Sequence, residues 1–331
     1  MTPRMTRRQW LEMLAASTAL AGCENVVVNV QNKGGTNEDG IEPISSNERF
    51  YVYQCCAQPE VDPLTWSLSV QVEGTEVARI TPQTFDELVP VELEHTLQCI
   101  GGNPRNPLIN NAVWGGLPFL EVLEHLGVAV PEDAVDLRFL GADDYDTGVP
   151  VEDLLASKLW LVWRMNGEPM PYDHGAPCRF LAQGRYGTKN VKWPIEVDFV
   201  PYDFRGFWEN SGWSDDATYR QNGFILQPVD GTIVNGDTVA IYGTSYAGED
   251  PVTSVEISFD EGESWEPVEV YYSPGANIWT LWKHEITGVS GDVTAEIRVT
   301  TASGKVTQGT EGTGQSRGYD GGMRIRFEVR P

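Results

Sequence analysis

The sequence predicts an α+β domain followed by an all-β one, and three observations carry that expectation. Up to about residue 222, strand-like and helix-like segments interleave without the regular rhythm of a doubly wound sheet. Beyond it, only short alternating stretches occur, divided by Gly, Asp and Ser turns. With 331 residues, 40% hydrophobic content and eleven tryptophans, the chain can fill two cores.

The first region runs from about Ile44. WSLSVQVEG (Trp66 to Gly74) alternates as a half-buried strand and ends on a turn glycine. LPFLEVLEHLG reads as a helix with Pro118 early, Phe119, Leu120, Leu123 and Leu126 on one face, and Gly127 as its stop. VPVEDLLAS gives a second short helix. KLWLVWRMNGEPM returns to a strand, with Leu159, Leu161, Trp163 and Met165 on one side and a turn at Asn166-Gly167. From about Gly223 the segments TVAIYGTSYAG, VEISFDEGESW, EPVEVYY, AEIRVTT and MRIRFEV follow one another without a helical period. About a hundred residues of this kind read as an immunoglobulin-like antiparallel β-sandwich. The expected domains are therefore 44–222 and 223–331.

Ahead of them, TRRQWLEML places Arg7 and Arg8 before a weakly apolar run that ends in LAGC. The run is too short to span a bilayer. It resembles a twin-arginine export signal over 1–22, joined to a lipoprotein processing box at Cys23, with a plain leader as the alternative. On that reading Cys23 is lipidated, 23–43 is a polar tether, and the protein is periplasmic or on the cell surface, held to the membrane by its lipid alone. A formal net charge of −25 excludes nucleic acid as a partner.

Four cysteines remain, Cys55, Cys56, Cys99 and Cys178, without the spacing of a disulfide framework or a zinc site. Cys55 and Cys56 read as small buried hydrophobes. Cys99 stands at the mouth of a loop, LQCIGGNPRN, and taken alone a buried structural thiol is the simpler reading. A second stretch, between Asp173 and Glu196, contains no acidic residue but holds Arg179, Arg185, Lys189 and Lys192 with His174, Trp193 and three glycines. In so acidic a chain that reversal calls for an anion; a basic loop paired with acidic neighbours is the alternative.

Together TLQCIGGNP, NNAVWGGLPFLEVLEHLGV, FLGADDY, MNGEPMPYDHGAPCR and YGTKNVKW resemble, in order, the sulfite oxidase family of molybdenum-cofactor oxidoreductases. GTSYAG and VEISFDEGESW resemble that family's dimerisation domain. The resemblance implies that Cys99 is the protein ligand to molybdenum. It implies that His174, Arg179, Asn190, Val191 and Lys192 hold the molybdopterin and its phosphate. Asp143, or its neighbour Asp144, would contact the pterin, and Tyr53 and Gln54 would stand where sulfite-oxidising members carry an arginine. Arg105 is the local candidate for binding an anionic substrate, and Tyr202, or Phe204, falls near the family's active-site tyrosine.

The reaction implied is oxygen-atom transfer on a small oxo-anion, with sulfite oxidation as the default. The alternatives are reduction of a sulfoxide or other oxide, and a cell-surface binding lipoprotein whose cofactor site is empty. Without a haem, flavin or iron–sulfur pattern in the sequence, electrons are expected to pass to a separate partner such as a c-type cytochrome or a quinone-linked subunit. A homodimer through the second domain is also expected.

Overall fold

A computed structural model describes residues 36–37, 40–307, 309 and 315–331. The proposed signal and Cys23 lie outside them. A two-residue ladder, β1 (Thr36–Asn37) with β2 (Gly40–Ile41), comes first. The end of the segment read as a tether is anchored: Ile41 is buried, and the Pro43 carbonyl accepts from Asn111 Nδ2 and Trp279 Nε1, each at 3.0 Å. The boundary at residue 43 therefore moves back to about Gly40.

The next region builds two sheets. In chain order its strands are β3 (Leu68–Val72), β4 (Thr75–Ile80), β5 (Val91–Gln98), β6 (Ile109–Pro118), β7 (Asp136–Gly141), β8 (Asp146–Pro150), β9 (Leu159–Met165), β10 (Glu168–Pro169), β11 (Arg179–Ala182) and β12 (Pro194–Val200). One sheet has the order β4-β3-β12-β7-β8, with β3 and β12 parallel. The other has the order β10-β9-β6-β5, with β11 also on β9. Helices α1 (Pro82–Glu87), α2 (Phe119–His125), α3 (Val151–Leu155) and α4 (Phe207–Asn210) are short, as the sequence leads one to expect of the second and third. α2 begins after Pro118 and ends before Gly127 at φ +70°, buries Phe119, Val122 and Leu123, and leaves Leu120 and Leu126 only partly covered. The Asn166-Gly167 turn has both residues at positive φ, 52° and 78°, the geometry that matches strand twist in a tight hairpin.

From β13 (Asn222–Gln227) onward the structure is all β, with one short 3₁₀ turn at Gln315–Arg317. β14 (Ile233–Asn235), β15 (Thr238–Tyr246), β16 (Val252–Ser258), β17 (Glu266–Pro267), β18 (Glu269–Tyr272), β19 (Thr280–Thr287), β20 (Gly291–Thr301) and β21 (Arg324–Arg330) complete it. They form sheets β13-β15-β19-β18 and β14-β21-β20-β16-β17. Phe224, Ile241, Leu281 and Trp282 of one sheet share a core with Val255, Ile297, Ile325 and Phe327 of the other.

The two regions are tied where the site lies. Along β5, Thr96 Oγ1 accepts from Trp279 N at 2.9 Å, the Thr96 carbonyl accepts from Tyr246 O–H at 3.2 Å, and Gln98 Oε1 accepts from Asn222 Nδ2 at 3.0 Å. These buried bonds hold the strand that ends in Cys99 from both sides.

Candidate active site

Cys99 follows the last residue of β5, and its N–H donates to the Leu108 carbonyl at 2.9 Å, closing the GGNPRNP loop. Burial pushes the Cys99 thiol up to about 11, and the backbone N–H groups of Gly101 and Gly102 oppose that rise. The Gly102 N–H donates to the Cys99 carbonyl at 2.9 Å, and a Cβ on Gly102 would sit 3.0 Å from that oxygen, so the loop folds back tightly beside the sulfur.

The sulfur faces a cavity of about 80 Å³ that opens to solvent. Tyr53, Gln54, Cys99, Asp143, His174, Arg179, Asn190 and Lys192 all contribute to its lining. Tertiary folding thus collects eight sequence-predicted residues from five separate stretches. Asp143 is the member of its pair that lines the cavity; Asp144 is exposed, at φ +62°.

Arg179 opens β11 and is buried, its guanidinium 5.3 Å from the Trp114 ring. It donates at 3.2 Å to the His174 and Asn190 carbonyls, and its Nε–H has no protein partner. Thr188 Oγ1, also on the lining, is likewise buried without one. Lys192 Nζ lies 4.1 Å from the Trp193 ring and donates to Gln54 Oε1 and the Asp173 carbonyl. Burial brings Lys192 down to about 7 and His174 down to about 4, with Arg179 acting in the same direction on both; Arg179 itself falls to about 10. His174 is therefore neutral at pH 7, hydrogen-bonded through Nε2 to the Asn47 carbonyl at 2.8 Å. Two desolvated cations and two unpartnered buried polar atoms on one cavity wall fit an anionic ligand.

Other predicted residues lie elsewhere. Arg105 is exposed, its backbone N–H donates to Asn103 Oδ1 at 3.0 Å, and it is not part of the cavity lining. Tyr202 is 53% exposed, and neither it nor Phe204 lines the cavity. The Phe204 ring packs under Arg138, 5.3 Å away, and its N–H donates to Asp136. The Val191 side chain belongs to the hydrophobic core. Half of the basic stretch turns out to be internal ion pairing. Arg185 pairs with Asp153, and Lys189 is buried with Glu209 at 2.6 Å and Asp215 at 3.4 Å. Only Arg179 and Lys192 remain for a ligand.

Sequence reasoning missed several walls of the cavity: Phe50, Tyr51, Tyr145, Thr188, Trp208 and Trp213. Tyr145 donates to the Thr188 carbonyl at 2.5 Å and pins the following loop. Trp208 and Trp213 pack together, their rings 5.0 Å apart, and both line the cavity. The aromatic run FYVY was the available signal for Phe50 and Tyr51.

Residues 56–208 match the family model described as an oxidoreductase molybdopterin-binding domain. That segment is similar to molybdopterin-binding domains of oxidoreductases. Mitochondrial sulfite oxidase of Rattus norvegicus is 27% identical over 285 residues, covering 72% of this chain and 52% of that protein. Sulfite oxidase of Gallus gallus is 27% identical over 290 residues, covering 72% of this chain and 62% of that one. The chain thus spans about half the length of the rat protein. Among solved structures, the sulfane dehydrogenase SoxCD from Paracoccus pantotrophus superposes with a TM-score of 0.77 over 93% of this chain and 86% of that one, at 16% identity, which speaks for the fold alone. The matched segment contains Cys99, the acid-free stretch and Trp208, while Phe50 to Cys55 and Trp213 bring the rest of the lining from outside it.

Proposed function

We propose that the protein is a molybdenum-cofactor oxidoreductase that moves an oxygen atom to or from a small sulfur species, with sulfite as the default substrate. The observation that carries this is the pairing, across one cavity, of a thiol cradled by two N–H donors with two desolvated cations. In this reading Cys99 ligates the metal, and Arg179, Lys192 and His174 receive the cofactor's phosphate. Asp143, Gln54, Tyr53 and the backbone at Asn190 and Val191 line the remainder. When bound, the cofactor supplies two-electron oxygen-atom transfer.

The chain's own groups prepare for it. Cys99 keeps its proton at neutral pH until a metal takes its place, and the Gly101 and Gly102 N–H groups then stabilise the thiolate. Arg179 and Lys192 have already lost most of their water, so an anion arriving there recovers the cost of burying them. Trp208 and Trp213 cover one flank of the mouth with apolar surface and limit water there.

One observation favours a second substrate class. The lining holds two carboxylates, Asp143 and Asp173, against two cations, and His174 is neutral. With the cations committed to a phosphate and Arg105 outside, nothing cationic remains for a dianion. An uncharged oxide such as a sulfoxide is the alternative substrate.

Molybdenum content and pterin fluorescence after acid oxidation test the cofactor; protein purified from a molybdenum-replete host without either would leave only a binding lipoprotein. Turnover of sulfite with ferricyanide, set against dimethyl sulfoxide with reduced viologen, separates the two substrate classes. Two further parts belong to the same proposal. The export route is tested by changing Arg7 and Arg8 to lysine, which should hold the protein in the cytoplasm. The sandwich, read as an immunoglobulin-like dimerisation domain, is tested by light scattering, where a single-chain mass would remove it. Electrons would leave to a separate partner.

A further inference from the structure

Cys55 and Cys56 take no part in the chemistry above, yet they stand in its wall. They are 5% and 3% exposed and both belong to the main hydrophobic cluster. Cys55 nevertheless lines the cavity. Their sulfurs are in contact, 2.7 Å apart, and the Asp143 carboxylate lies within 4.8 Å of both.

We propose that Cys55–Cys56 is a redox-active dithiol of the cavity wall, which closes to a disulfide by exchange with a low-molecular-weight disulfide entering the cavity. Exchange needs an accessible sulfur, a share of thiolate and a second thiol to complete it. Cys55 supplies the first through the cavity. Lys192, whose Nζ donates to Gln54 next to Cys55, places a basic group beside it, and the Asp143 carboxylate lies within 4.8 Å of both sulfurs. Cys56, adjacent in the chain, supplies the third. Cys178 meets none of these conditions, being fully buried in the core.

In the first step the Cys55 thiolate bonds to one sulfur of the reagent and expels the other as a thiolate. In the second, Cys56 displaces the remaining half, and the Cys55–Cys56 bond forms. The two cysteines give up two protons and two electrons; the reagent's disulfide takes them and becomes two thiols. A small dithiol reverses the sequence. Because the cavity is the one assigned to the cofactor, the exchange is tested on the cofactor-free chain; it concerns sulfurs other than Cys99 and is read out by mass, so its failure is distinguishable from failure of the cofactor reading.

The test uses the full chain, 2-hydroxyethyl disulfide as oxidant, acid quench, alkylation under denaturing conditions and trypsin. Arg49 and Arg79 bound a peptide whose only cysteines are Cys55 and Cys56, whereas Cys99 and Cys178 fall in other peptides. The expected result is a 50–79 peptide that is unalkylated and lighter by two hydrogens, restored to double alkylation by dithiothreitol, with Cys178 alkylated throughout. A doubly alkylated 50–79 peptide after oxidation would overturn the proposal, and so would one that keeps the reagent attached. Cys56→Ser should trap the reagent on Cys55; clean alkylation of Cys55 in that variant would show that the cavity route is closed and also overturn it. Should Cys56→Ser not fold, the wild-type masses decide.

Discussion

At the scale of single residues, the site depends on groups held in states that water would not favour. Cys99 stays a thiol at neutral pH because it is buried, and the proposed metal would take the place of its proton. Cys99→Ser should therefore lose molybdenum and turnover while keeping its melting temperature within a few degrees; full activity in that variant would refute the metal assignment. Lys192 is the counterpart on the opposite wall. Its pKa, near 7 in the folded chain against an ordinary 10.5, means that between these values the unfolded chain holds a proton the folded chain has released. Stability of the cofactor-free protein should therefore rise as pH climbs from about 7 to 10, and Lys192→Met should flatten that rise. Sulfate, a dianion throughout, should raise the melting temperature more at pH 6.5 than at pH 9.5, and a sulfate effect independent of pH would count against an anion beside Lys192. The local reversal of charge around these residues was legible in the sequence. Which of its four cations would be left for a ligand was not, because that depends on where Asp153 and Glu209 arrive in space.

At the scale of elements, short pieces are braced by buried polar bonds more than by their own length. The 3₁₀ turn Gly187–Lys189, which carries Thr188 into the cavity, is fixed to α4 by Lys189 and Glu209, both with side chains 1% exposed. Removing one partner alone leaves a buried charge, so Lys189→Met should cost about 3–5 kcal/mol. Lys189→Met combined with Glu209→Leu should recover much of that in urea denaturation; additive losses would show that the pair is not coupled. The strand alternation of β3 and β9, the proline-to-glycine span of α2 and the Asn-Gly hairpin were readable from local sequence, since each is set by neighbours within a few residues. The GGNPRNP loop announced a special backbone but not that Arg105 would be exposed and outside the cavity lining.

At the scale of the whole molecule, β5 belongs to both regions. Its Thr96 accepts from Trp279 and Tyr246 of the sandwich and donates through Oγ1 to Asn111 at 2.9 Å. Thr96→Val leaves Trp279 N–H and Asn111 Oδ1 without this partner and should cost about 1–3 kcal/mol. In calorimetry the wild type should melt in a single transition, and two well-separated transitions would show that the regions fold independently. The sandwich thereby steadies the strand that delivers Cys99, whatever further role it has in pairing two chains.

The sequence by itself determined the α+β-then-β order, the cysteine-bearing glycine-rich loop, the acid-free basic stretch and the family resemblance of the ordered motifs, because these rest on local periodicity, turn chemistry and motif order. Only the tertiary structure decided that Asp143 rather than Asp144 faces the cavity and that Arg105, Tyr202 and Phe204 lie outside it. It also decided that Arg185 and Lys189 are spent on internal carboxylates while Arg179 and Lys192 have no carboxylate partner of that kind and line the cavity. The physical reason is common to all of these. A side chain's chemistry depends on which desolvated partners surround it, and those partners come from strands and loops far away along the chain.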